Sequence, residues 1–195
     1  RGLGDKISFF CADAFEASTQ EKYDLVYWNN ALHHMFDTDK AVEWSLKALK
    51  PGGIFAMDDF IGPSHFQWTD FNLEAASKVR QILPERLLKN PRSPNETLPI
   101  GIGRPNLEKF IAADPSEAAD SSGIIPAVKR HFPNAEIKLT GGCIYHTALN
   151  DVIANFESPE DDHLLDALLM ADEMFAVKGE SQYAFAIARK PSSNT

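Results

Sequence analysis

The stretch Tyr23–Gly62, YDLVYWNNALHHMFDTDKAVEWSLKALKPGGIFAMDDFIG, restricts the fold more than any other part of the chain. Leu25, Val26, Tyr27 and Trp28 form a short apolar run, as in a strand covered on both faces. Asn29 and Asn30 stop it. Asp37 or Thr38 can cap a helix, and Asp39 suits its first turn. Val42, Leu46 and Leu49 follow at helical spacing. Lys50-Pro51-Gly52-Gly53 ends that helix, because proline cannot continue it and glycine enters a left-handed turn freely. Ile54–Met57 is a second buried strand, stopped by Asp58-Asp59. The whole is one βαβ crossover, which is right-handed in a parallel sheet.

YDLVYWNNALHHM followed by LKALKPGGIFAMDD resembles the fourth-to-fifth-strand segment of class I S-adenosylmethionine-dependent methyltransferases. ISFFCADAFE (Ile7–Glu16) is similar to that family's third strand, and Tyr183–Arg189 suits its seventh. The resemblance covers roughly residues 1–62 and 136–190. It implies an α/β fold with a Rossmann-like sheet, in the family order 3-2-1-4-5-7-6. It also implies S-adenosylmethionine as cofactor and a small-molecule methyl acceptor. The family's first strand and glycine-rich loop, and the acidic end of its second strand, find no counterpart here. A cofactor loop must follow a strand and open a helix. RGLG at the start leads straight into a strand, and Gly101-Ile102-Gly103 is followed by Arg-Pro. Gly141-Gly142 reads as a bulge or a close backbone approach. The expectation is therefore a C-terminal portion of such an enzyme, N-terminally incomplete, binding the cofactor weakly or not at all by itself.

Composition narrows the partners. In 195 residues the formal net charge is -9, which argues against a broad nucleic-acid or membrane surface. No apolar run has the length of a membrane span. Two cysteines, Cys11 and Cys143, fit buried free thiols of a cytoplasmic protein.

One domain is expected, in three parts: a partial Rossmann-like core (1–62), a helical insert or lid (63–135), and C-terminal strands with an intervening helix (136–195). Within the insert, Thr69 or Asp70 caps a helix that Pro84 interrupts. Asn90–Pro105 carries four prolines and two glycines and reads as an extended loop. Asn106 caps a short helix, and Asp114-Pro115-Ser116-Glu117 looks like another helix start. Ile124–His131 is helical and Glu136–Tyr145 a strand. Ser158 and Asp161 resemble a capping box for a last helix ended by Gly179, and Gln182–Arg189 closes the sheet.

In open parallel sheets, ligands sit beyond the carboxyl ends of the strands. Asp13-Ala14, Asn29-Asn30 and Asp58-Asp59 stand at three such ends. The resemblance implies that Asp13 and Ala14 contact adenine and that Asn29 and Asn30 line the methionine end of the cofactor. The same polar residues also suit turns and caps. It places His34 near the sulfonium, where it orients an acceptor or takes its proton; a packing or helix-start role is the alternative reading, and the favoured one for His33. Asp59 binds substrate or acts as base, or is a solvated strand end. Phe66 and Trp68 wall an acceptor pocket or simply pack. Tyr145 and His146 end a strand and fit core or hairpin packing. Adjacent histidines point about 100° apart on a helical turn, and no third ligand is near in sequence, so no metal is expected.

Without the family's first strands, Tyr23–Trp28 becomes an edge with apolar side chains. Such an edge pairs with another chain. Either Ile7–Asp13 pairs beside it, or the protein forms a homo-oligomer through it. A non-catalytic module that works by association is the alternative function.

Overall fold

A computed structural model describes residues 2, 4–13, 15–16 and 21–192. Its main sheet has four strands: β1 (Tyr23–Asn29), β2 (Leu49–Phe60), β5 (Glu136–Gly141) and β6 (Tyr183–Arg189), in the order β1-β2-β6-β5. β1 and β2 are parallel, and β6 runs antiparallel to both β2 and β5. This is the 4-5-7-6 half of the order expected from the resemblance. The fold is a Rossmann-like α/β sheet. β3 (Lys89–Asn90) and β4 (Ser93–Thr97) form a separate small hairpin inside the extended loop.

The crossover between β1 and β2 is helix α1 (Thr38–Ala48). Asp37 caps it, its Oδ1 accepting from the Lys40 amide at 2.9 Å. At its far end Gly52 takes φ +76, and a Cβ on Gly53 would stand 2.9 Å from the Lys50 carbonyl oxygen. Only glycine fits both positions, so the turn is set by steric necessity. α1 and α4 (Ile124–His131) pack against the sheet. Val42, Phe55, Met57, Ile124, Val128 and Phe132 form that core, with Phe55 stacked on Phe132 at 4.6 Å between ring centroids. Ala184, Ala186 and Ala188 alternate inward along β6.

A second core joins α2 (Asp70–Ile82), capped by Thr69, to the segment after β5. α3 (Leu107–Ala113) is capped by Asn106, and α5 (Asp162–Val177) lies along β5.

Several expectations are corrected. Ile7–Asp13 is not a strand and does not pair with β1; Phe9 and Phe10 are 93% and 89% exposed. A strand needs hydrogen-bonded neighbours, and among the described residues none flanks this segment. For the same reason β1 is not covered on both faces: Leu25 is 54% and Tyr27 51% exposed. Cys11 is exposed, whereas Cys143 is buried as expected. Asp114–Glu117 starts no helix; the Asp114 carboxylate accepts from Ser116 in a tight turn instead. β5 ends at Gly141, and Tyr145–Leu149 forms a π-helical turn. Asp172 explains the change, because its buried carboxylate accepts from the amides of Gly142, Ile144 and Tyr145 and takes them out of the sheet. Asp161 does not complete a capping box; it is turned to the Arg86 guanidinium.

Candidate functional site

The carboxyl ends of β1 and β2 lie side by side, with Asn29 in register with Asp58. Beyond β1 the chain turns sharply. Asn30 takes φ +52, a left-handed conformation that asparagine tolerates, while its amide donates to the Asp58 carbonyl at 2.9 Å. The next residues, Leu32–His34, form a 3-10 turn.

Asp59 holds that turn. Its Oδ2 accepts from the amides of Ala31 and Leu32 at 2.9 and 2.8 Å. Its Oδ1 accepts from the His33 amide at 3.3 Å and meets His33 Nδ1 at 2.6 Å. The carboxylate is fully buried. Burial works against its charge, but the bonds from His33 and from the Ala31 and Leu32 amides outweigh it and hold the pKa below the usual value. Asp59 is thus neither a solvated strand end nor a side chain of the cavity wall. With both oxygens engaged it has no place for a substrate proton, so the expected base is corrected to a group that positions His33.

The cavity beyond this rim has a volume of about 720 Å³. Asn30, His33, His34, Phe66 and Trp68 line it, so four of the expected site residues meet there: Asn30, His34, Phe66 and Trp68. Asn29 and Asp13 are not among its lining residues. Asn29 accepts from the Tyr27 hydroxyl at 3.4 Å, and the exposed Asp13 from the Phe15 amide at 2.8 Å. Phe15 in turn lies 4.5 Å below the Lys40 ammonium, which keeps Asp13 near the first turn of α1. Ala14 lies outside the described residues.

One wall is aromatic. Phe66 stacks on Trp68 at 5.1 Å and meets Phe60 edge-on at 5.1 Å. His146, delivered by the π-helical turn, lies 4.9 Å from Phe66 and 4.6 Å from Phe60. His146 Nδ1 meets the Tyr183 hydroxyl at 2.7 Å. Burial pushes His146 down to about 4 and Tyr183 up to about 12. The pair is therefore neutral and acts as shaped, polarisable lining. Strain concentrates here: His65 and Phe66 take φ +51 and +53, and Ala118 takes φ +49. The His65 amide donates to the Ala118 carbonyl at 2.8 Å, tying two strained segments together.

The turn at residues 114–119 also contributes to the lining, through Glu117. The Ala119 amide donates to the His33 carbonyl at 3.1 Å. That bond brings Ser116 and Glu117 to the histidine pair. His34 Nδ1 meets Ser116 Oγ at 3.2 Å, and Ser116 Oγ donates to Asp114 at 2.8 Å. Since the hydroxyl's one hydrogen goes to Asp114, His34 Nδ1 must donate to Ser116, and the lone pair is left on His34 Nε2. His33 Nε2 stands 3.7 Å from Glu117 Oε1. His33, His34 and Glu117 each offer a ligand atom, all within 4.8 Å of one another. No third ligand stands near the histidines in sequence, and the tertiary fold brings Glu117 to them from a turn some eighty residues away.

Arg80 also lines the cavity. It is buried, donating from Nε to the Ala148 carbonyl at 3.1 Å and from Nη1 to the Pro99 carbonyl at 3.2 Å. Glu117, Arg80, His146 and Tyr183 were not singled out by sequence as site residues, since no motif links them. Only His146, beside a strand end, carried a usable signal.

A family model described as a methyltransferase domain matches residues 2–97. Among solved structures, the [4+2]-cyclase SpnF is 16% identical, with 98% of this chain and 58% of that one covered, at a TM-score of 0.44. A phosphoethanolamine N-methyltransferase 2 of Haemonchus contortus, in complex with phosphomonomethylethanolamine and S-adenosylhomocysteine, is 19% identical, with 92% and 36% covered, at 0.41. The chain thus spans less than two thirds of the length of either.

Proposed function

We propose that this chain, whose residues 2–97 match a methyltransferase-domain model, is a methyltransferase of the class I S-adenosylmethionine-dependent kind, that its cavity receives a small-molecule methyl acceptor and that His34 accepts the acceptor's proton. The observation that carries this reading is the chain Asp114–Ser116–His34, which leaves an imidazole lone pair at the cavity wall. Asn30 is the rim residue closest in role to a cofactor contact, and Asn29 and Asp13 stand as the further proposed contacts. When bound, S-adenosylmethionine supplies an electrophilic methyl group on a sulfonium with a good leaving group.

Little acid–base chemistry is then required of the protein. Its work is to hold the acceptor in line and keep water out. Phe60, Phe66, Trp68 and His146 form the water-excluding wall. Trp68 adds a buried Nε1–H with no partner among the described residues, a donor that an acceptor oxygen fits. Asp59 fixes the 3-10 turn on which both histidines ride.

The test is methyl transfer from labelled S-adenosylmethionine to a panel of small amines and alcohols. His34→Ala is expected to lower kcat/KM by about 100-fold, in the range of general-base contributions, and Ser116→Ala by less. Full activity of His34→Ala would remove the base assignment. A second reading, a non-catalytic module that works by association, is favoured by the exposed Leu25 and Tyr27 on β1. Absence of transfer to every acceptor, together with stable self-association, would select it.

A further inference from the structure

We infer that His33, His34 and Glu117 form a binding site for one divalent transition-metal ion at the wall of the cavity. The inference does not rest on methyl transfer. Three ligand atoms, one from each residue, already lie within 4.8 Å of one another. Around a tetrahedral ion with bonds of about 2.0–2.1 Å, donors stand roughly 3.4 Å apart. The His33 Nε2 to Glu117 Oε1 separation is 3.7 Å, close to that value. Glu117 is half-buried at the cavity wall, so its side chain has room to complete the closure.

The surroundings match what metal-binding imidazoles need. A ligating histidine donates its other ring N–H to a carboxylate or similar acceptor, which fixes the tautomer. His33 does so to Asp59 at 2.6 Å, and His34 to Ser116 at 3.2 Å. Two imidazoles and one carboxylate suit zinc, cobalt, nickel or iron rather than magnesium or calcium. Three protein ligands leave a fourth position open, and all three residues line the cavity. An ion bound here takes the His34 lone pair, so it competes with the proton acceptance assigned to that residue.

The experiment is titration of the chelator-treated protein with cobalt(II), followed by visible absorption, with zinc equilibrium dialysis in parallel. One ion per chain is expected, with a band characteristic of nitrogen ligation. Glu117→Gln and His34→Ala should each weaken binding at least tenfold. Cys11→Ser combined with His163→Ala, which removes two exposed alternative ligands, should leave it unchanged. Far-UV circular dichroism checks each fold; Glu117→Gln, at a half-buried side chain, decides the matter if His34→Ala does not fold. Absence of stoichiometric binding overturns the inference. So does binding that Glu117→Gln leaves intact, or that the Cys11 and His163 changes abolish.

Discussion

His33 Nδ1 and Asp59 Oδ1 meet at 2.6 Å, both side chains buried, at the point where two parallel strands end. One carboxylate thereby neutralises a turn of three backbone amides and orients an imidazole toward the cavity. Burying that charge is tolerable only because every lone-pair direction is used.

Asp59→Asn should therefore destabilise the protein by about 3 kcal/mol, the usual effect of breaking a buried charged network. Urea unfolding at neutral pH measures it. A loss under about 0.5 kcal/mol would show that the turn forms without the carboxylate.

Acid should reveal the same group. Its folded pKa lies below its ordinary value. The stabilisation is then complete above the unfolded pKa of about 3.9 and is lost as pH falls through the folded value. Unfolding midpoints of the wild type should drop below about pH 4, and Asp59→Asn should flatten that drop.

His146 acts in a different window. Its folded pKa is about 4 against 6.5 for the free side chain, so the native state resists protonation. Stability should decline as pH falls from about 6.5 to 4, by up to about 3 kcal/mol in total. His146→Phe should abolish the slope between those values while losing the Tyr183 bond at all pH. An unchanged slope would assign it to another group.

The β1 edge offers a test of association. Leu25 and Tyr27 are more than half exposed on a strand that, among the described residues, is paired on one side. Sedimentation should show self-association that Leu25→Lys combined with Tyr27→Lys reduces, since charge on an edge opposes pairing. A monomer at all concentrations would exclude the homo-oligomer.

Packing of the sheet on α4 depends on the Phe55–Phe132 stack. Phe132→Ala should cost about 3–5 kcal/mol by the cavity it leaves. Thermal or urea unfolding reads this directly.

The crossover was legible because its causes are local. Asp37 caps whatever helix follows it, and Gly52 and Gly53 are required by the backbone path through the first residues of β2. The closing strand β6 and the caps at Thr69 and Asn106 were equally readable. Ile7–Asp13 misled because apolar alternation reports what a segment prefers, while a strand also needs a neighbour to bond. Tyr145–His146 misled because the Asp172 carboxylate, contributed by α5, pulls the segment out of the sheet.

What the chain's order of residues determined by itself was where β1 stops, and that Asn30, His33 and His34 follow at once. The end of β2 was not legible in this way: Asp58 and Asp59 stay in the ladder with Phe185 and Ala184, a pairing with β6 that no local preference encodes. Only the tertiary structure decided what faces that rim. Glu117 and Ser116 reach the histidines through one backbone bond from Ala119 to His33, and His146 reaches Phe60 through a turn held by Asp172. Contacts across eighty or more residues depend on packing geometry, which local preference does not encode.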